Sequence, residues 1–213
     1  MLRKMIGTIA TTVLAQAVGL NLFLWADTGT KYPSMASVEQ YLMPDRSAEI
    51  ALARSAAPGT LSDSAEVMVL SPQGYDIAVP GTNGFVCLVQ RSWIAQVDDP
   101  DFWNPKLRSP ICLNPAGARS YLPIIIMRTR LILAGMSKVE MSRAIESALD
   151  KKELPPQQAG AMGYMMSKQG YLSDRDGRWH PHLMFFVPLT EAKAGAQVCR
   201  ALPSLDLKIL LSD

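Results

Sequence analysis

The two histidines of the chain, His180 and His182, stand one residue apart, so every imidazole available for chemistry lies in one spot. On an extended strand, residues two apart share a face, and a rise of about 3.3 Å per residue sets the two Cα atoms roughly 7 Å apart, within reach of one ion. Pro181 between them donates no ladder hydrogen bond, which suits a strand end or an open edge. A catalytic zinc needs a third protein ligand and an open position. The sequence offers Asp174, Asp176, the aspartates Asp98, Asp99 and Asp101, or an unpaired Cys87. Met184 shares the histidine face, and Met162, Met165 and Met166 lie in the facing apolar run, so imidazole and thioether together make copper the other metal to expect. Two further readings stand beside metal binding: general acid–base use of one histidine, and a structural role in which the imidazoles bond the backbone while Met and Phe fill the core.

The element that must position these residues is a hairpin. Two apolar runs, Ala161–Met166 and Leu183–Val187, flank a polar segment containing Asp176-Gly177, the pattern of strand, long loop and strand. Asp174-Arg175-Asp176-Gly177 has the start of a calcium-loop pattern but lacks the remaining ligands and the distal Glu, so a turn is expected.

Upstream, Glu66–Leu70, Tyr75–Val79 and Phe85–Trp93 are short extended runs separated by Pro/Gly turns, which predicts a three-stranded antiparallel meander. Val38–Ala57 reads as helical, broken by Pro44, restarted at Asp45 and ended by Pro58-Gly59. Asn114-Pro115 starts a helix that runs to about Ala134 and stops at Gly135, with Pro123 kinking or dividing it. Ser137 and Glu140 form a capping box for the next helix. The expected class is α+β: an antiparallel sheet of meander plus C-terminal hairpin, with helices packed on one side. The domain spans 38–190, preceded by a linker at 27–37 and followed by a tail, 191–213, in which Ala192–Asp213 reads as a short helix and a last strand, Leu205–Leu211.

Residues 1–26 look like a targeting segment. A basic start, Arg3-Lys4, precedes the apolar run Met5–Leu14 and the small-x-small sequence Ala15-Gln16-Ala17, with Leu24-Trp25-Ala26 as a second cleavage site. The uncharged run is also long enough for a retained anchor, against which stand Gln16 and Asn21. Export makes the protein secreted or periplasmic and favours a disulfide between Cys87 and Cys112, leaving Cys199 as the odd cysteine.

Lys plus Arg number 21 against 19 acidic residues, and cleavage removes Arg3 and Lys4, so the mature chain is near neutral. That disfavours nucleic acid as a partner, and membrane contact is expected only through an uncleaved N-terminal segment. The sequence contains no phosphate-cradling glycine pattern, nucleophile elbow, His-Glu-x-x-His or Cys-x-x-Cys.

Gly84-Phe-Val-Cys87, Ser109-Pro-Ile-Cys112, Tyr164-Met-Met-Ser167 and Trp179-His-Pro-His-Leu-Met184 together resemble a group of uncharacterised secreted bacterial proteins that carry these segments in this order. The resemblance implies an exported protein and brings no activity, cofactor or fold. Two functional expectations result. One is a non-catalytic exported domain binding a small molecule or an envelope partner through the hairpin and the aromatic loop Phe102-Trp103. The other is a metal-dependent hydrolase or a copper- or zinc-binding redox protein using His180 and His182. The cluster Asp98–Asp101 is expected to be a solvated loop with capping aspartates rather than a cation site.

Overall fold

Glycine punctuation between Ser71 and Phe85 decides how the sheet begins. The computed structural model describes residues 31–178 and 180–186. Its first three strands are β1 (Glu66–Ser71), β2 (Gly74–Val79) and β3 (Val86–Gln90). β1 and β2 form a tight hairpin closed at Ser71 opposite Gly74, whose φ of 133° is a glycine conformation. β3 then departs from the predicted meander. It pairs parallel to β1 on the side away from β2, with Glu66 opposite Val86.

The cause is a loop that crosses the start of β1. Thr82 N–H donates to the Ser64 carbonyl and Glu66 N–H to the Phe85 carbonyl, each at 2.9 Å. A Cβ at Gly81 would sit 2.0 Å from the Glu66 nitrogen, so only glycine lets the loop pass this close.

β4 (Ser109–Leu113), β5 (Met162–Met165) and β6 (His182–Phe185) extend the sheet by antiparallel pairing, giving the order β2-β1-β3-β4-β5-β6. The class is α+β, and the sheet is mixed but mostly antiparallel.

The helices are α1 (Arg46–Arg54), α2 (Gly59–Ser62), α3 (Pro115–Ser120), α4 (Leu122–Leu133) and α5 (Lys138–Asp150). They cover both faces of the sheet, which corrects the expectation of helices on one side. The reason is visible in β3 and β4, all of whose residues are buried, because strands buried on both faces must be covered on both. On one face Val67, Cys87, Val89 and Cys112 pack against Leu52 and Ala53 of α1. On the other, Met68, Leu88, Ile111 and Leu113 pack with Ile124, Ile125 and Ile132 of α4 and Met141 and Ile145 of α5. Each aliphatic side chain buried this way contributes about 1.5–3 kcal/mol.

Local signals set the helix limits. Asp45 Oδ1 accepts from the Ser47 and Ala48 amides at 2.8 and 3.2 Å, and Asn114 Oδ1 accepts from Gly117 N–H at 2.8 Å. The long helix expected after Pro115 is divided at Tyr121, just before Pro123, and α4 ends at Leu133, with Gly135 at φ 86° just past its cap. Ser137 and Glu140 form the capping box of α5.

Cys87 and Cys112 are register partners on β3 and β4 and are joined by a disulfide, as expected. Among the described residues no helix is long and apolar enough to cross a membrane. The expectations for residues 1–26, Cys199 and the strand Leu205–Leu211 lie outside the described residues.

Candidate binding surface on the outer hairpin

The hairpin predicted from the sequence forms, with Met162 opposite Phe185, Gly163 opposite Met184, Tyr164 opposite Leu183 and Met165 opposite His182. Its long loop is fastened at several points. Tyr171 and Arg108 exchange backbone hydrogen bonds at 2.9 and 2.8 Å. Asp174-Arg175-Asp176-Gly177 is the expected turn, closed by Gly177 N–H donating to the Ser173 carbonyl at 2.8 Å.

Asp174, one of the possible metal ligands, is instead the centre of a surface clasp. It accepts from the Tyr32 hydroxyl at 2.6 Å, from Lys31 and Tyr171, and from Lys106 Nζ at 3.4 Å. The Lys31 ammonium, then the Tyr171 and Tyr32 hydroxyls, hold its carboxyl well below the usual carboxylate range. In turn the hydrogen bond to Asp174 pushes the Tyr171 phenol up to about 12. Asp176 is bound by Arg175 at 2.8 and 3.0 Å and by Ser173 Oγ at 3.0 Å, and Arg175 is the main cause of its lowered pKa.

The histidines are not arranged as two neighbours on one strand. β6 begins at His182, and His180 precedes it outside the ladder. Both are exposed, and His182 Nδ1 lies 2.8 Å from the His180 carbonyl oxygen. The proline between them accounts for this, since it cannot join the ladder and starts the strand after itself. Met184 is partly buried and packs toward the main core, Met165 is buried, and Cys87 is held in its disulfide. Among the described residues no three His, Cys, Asp or Glu side chains gather in an arrangement that could hold a metal.

What the hairpin does present is apolar. Cross-strand partners share a face, so Met162, Tyr164, Leu183 and Phe185 lie together on the side that α1 covers further in. α1 lies over β1, β3 and β4, and the exposure of Leu183 (43%) and Phe185 (64%) marks where that cover ends. Tyr164 leans on Phe85, ring centroids 6.1 Å apart, and Met166 beyond β5 is also exposed. The opposite face of the hairpin is covered in part by Phe186, whose ring stacks on Tyr121 at 3.9 Å.

β6 has no strand neighbour on its outer side among the described residues. An open edge offers main-chain N–H and C=O groups, and the adjoining apolar row offers pockets for alternate side chains; together they suit an extended polypeptide.

The aromatic loop Phe102-Trp103, expected to take part in binding, is core. Phe102 is fully buried and Trp103 nearly so, with their rings edge to face at 4.7 Å and the Lys138 ammonium 4.6 Å from the Phe102 ring centre. The neighbouring aspartates cap the turn as expected: Asp99 Oδ1 accepts from Asp101 N–H and Asp101 Oδ1 from Asn104 Nδ2, both at 2.7 Å.

Sequence reasoning missed one buried polar cluster. Arg91 Nη2 pairs with Glu49 Oε1 at 2.8 Å, both side chains almost wholly buried. Arg91 Nε also donates to the Tyr41 carbonyl at 2.6 Å, and Leu70 N–H donates to Glu49 at 3.2 Å. Nearby Tyr75 donates to the Val89 carbonyl at 2.8 Å, and burial, reinforced by the Arg91 charge, pulls Arg108 down to about 10. The available signal was an arginine just after an apolar strand, two residues before Trp93. Its partner, on α1, is not legible locally.

Comparison with known proteins returns nothing: no family model, no curated protein and no solved structure matches the chain.

Proposed function

We propose that this protein is an exported, non-catalytic binding domain that takes an extended polypeptide partner along the β5–β6 hairpin. The observation that carries this reading is a strand edge with no neighbour among the described residues, paired with an exposed apolar row, Leu183 and Phe185, on the same short strand. Soluble proteins usually blunt such edges with charge, proline or cover, whereas His182–Phe185 carries no Lys, Asp or Glu. Export is supported by the N-terminal pattern of the sequence and by the disulfide across β3 and β4, a bond that persists in oxidising compartments. The absence of catalytic motifs from the sequence, and the engagement of Asp174 and Asp176 in the loop's own bonds, favour binding over hydrolysis.

The test is site-specific photo-crosslinking in intact cells producing the full chain. A photoreactive residue at position 185 should yield a discrete adduct, and one at Ile77, exposed on the opposite edge strand, should not. Equal labelling at both positions, or none at 185, rejects the reading.

A further inference from the structure

Helix α1 covers the disulfide and is bonded to the root of the outer hairpin. Its buried residues are Glu49, Leu52 and Ala53. Residues three and four apart share one side of a helix, so the turn that sets Glu49 on Arg91 also sets Leu52 and Ala53 over Cys87 and Cys112. Both cysteines are wholly buried, and Cys112 Sγ lies 3.6 Å from the Ala53 carbonyl oxygen.

Just past the end of α1, the Ala56 carbonyl accepts from Met166 N–H at 2.9 Å, and the Ser55 and Ser167 hydroxyls are 2.7 Å apart. Met166 and Ser167 directly follow β5. Cys112 is also the register partner of Tyr164 on β5. The disulfide, α1 and the end of β5 therefore form one contiguous group.

Thiol–disulfide exchange begins when a thiolate reaches a disulfide sulfur, and here α1 stands in the way. Reduction also replaces a bond by a non-bonded contact between two thiols, which takes more room. The layer around them is close-packed from Leu52, Ala53, Ala56, Val67 and Val89, and the sheet is backed by α4 and α5 on its other face. The element free to give way is α1.

We propose that α1 is a redox-sensitive latch: it gates the access of a dithiol reductant to Cys87–Cys112, and once that pair is reduced it no longer holds the end of β5. In the exchange, one thiolate of the reductant attacks a protein sulfur, forming a mixed disulfide and releasing the other cysteine as a thiolate. The reductant's second thiolate then displaces the first cysteine. The reductant leaves as its own disulfide, and the two protons it gave up end on the protein thiols. Loosening β5 loosens the hairpin that bears Leu183 and Phe185, a consequence that rests on the binding surface proposed above.

The experiment uses the full chain and two readouts. Reduction by dithiothreitol is timed by thiol labelling at several urea concentrations below the unfolding transition. Amide exchange is then compared between the oxidised and the reduced protein. The rate of reduction should depend on urea much less steeply than global unfolding does, as opening of one helix requires. The Met166 amide should exchange at least ~10-fold faster after reduction, with Ile124, Ile125 and Ile132 of α4 unchanged.

Reduction that follows global unfolding overturns the proposal, and so does Met166 exchange that is equal in the two states or faster only together with α4. If Met166 responds and position 185 gives no crosslink, the latch stands and the binding reading falls. If position 185 gives its adduct and Met166 does not respond, the binding reading stands and the latch falls.

Discussion

β3 and β6 are short strands of one sheet, treated in opposite ways. β3 has a strand on either side, helices over both faces, a disulfide to β4 and a buried ion pair just beyond its end, and every one of its residues is buried. Among the described residues β6 has one strand neighbour, and three of its four residues are exposed. The difference teaches where stability resides and where the proposed binding would act. Opening β3 requires disrupting both cores at once, whereas β6 can open or exchange partners with most of the molecule intact.

The sharpest way to break this contrast is through the ion pair. Arg91→Met leaves the Glu49 carboxylate buried without its partner and should cost about 3–5 kcal/mol in urea unfolding. Converting Glu49→Leu as well should recover most of that loss, since an apolar pair of similar volume carries no desolvation penalty. A single-variant loss below about 1 kcal/mol would place the stable centre elsewhere.

Next in size is the disulfide. Cys87→Ala/Cys112→Ala should lower stability by about 3 kcal/mol, and added reductant should have no further effect on the variant.

At the rim, Leu183→Asp/Phe185→Asp should change global stability by no more than about 0.5 kcal/mol, because both side chains already face solvent. The same double variant carrying a photoreactive group at Met166 should give less adduct than the otherwise unsubstituted chain with that group. A large stability loss here would show that the hairpin face is core.

The smallest effect concerns pH. The folded-state pKa of Asp174 is depressed, so its contribution is complete above the ordinary carboxylate value of about 4 and is lost as pH falls through the lower folded value. An NMR titration of the Asp174 carboxyl carbon should therefore remain flat from pH 7 to 5 and show a midpoint below that of a free aspartate. A midpoint near 4 would mean that the clasp to Lys31, Tyr32 and Tyr171 does not hold in solution.

Several features were legible in the sequence because their causes are local. Asp45, Asn114-Pro115, Gly135 and the Ser137–Glu140 box each act within one helical turn of themselves, and each sits where its chemistry predicts. The hairpin and its Gly177 turn follow from alternation and turn residues, and the Cys87–Cys112 disulfide follows from cysteine usage read with the expectation of export.

Other features depended on which distant elements meet. Whether β3 joined β2 or passed to the far side of β1 was decided by Gly81 slipping past Glu66, a steric fact between segments that share no sequence signal. Burial of Phe102-Trp103, the meeting of Glu49 with Arg91, and the stopping of α1 short of the hairpin are likewise products of packing. Propensity, capping and turn chemistry act over a few residues and can be read in order along the chain. Strand order, the covering of faces and the pairing of buried charges minimise exposed apolar area and unpaired charge over the whole fold, so the tertiary structure alone settled them.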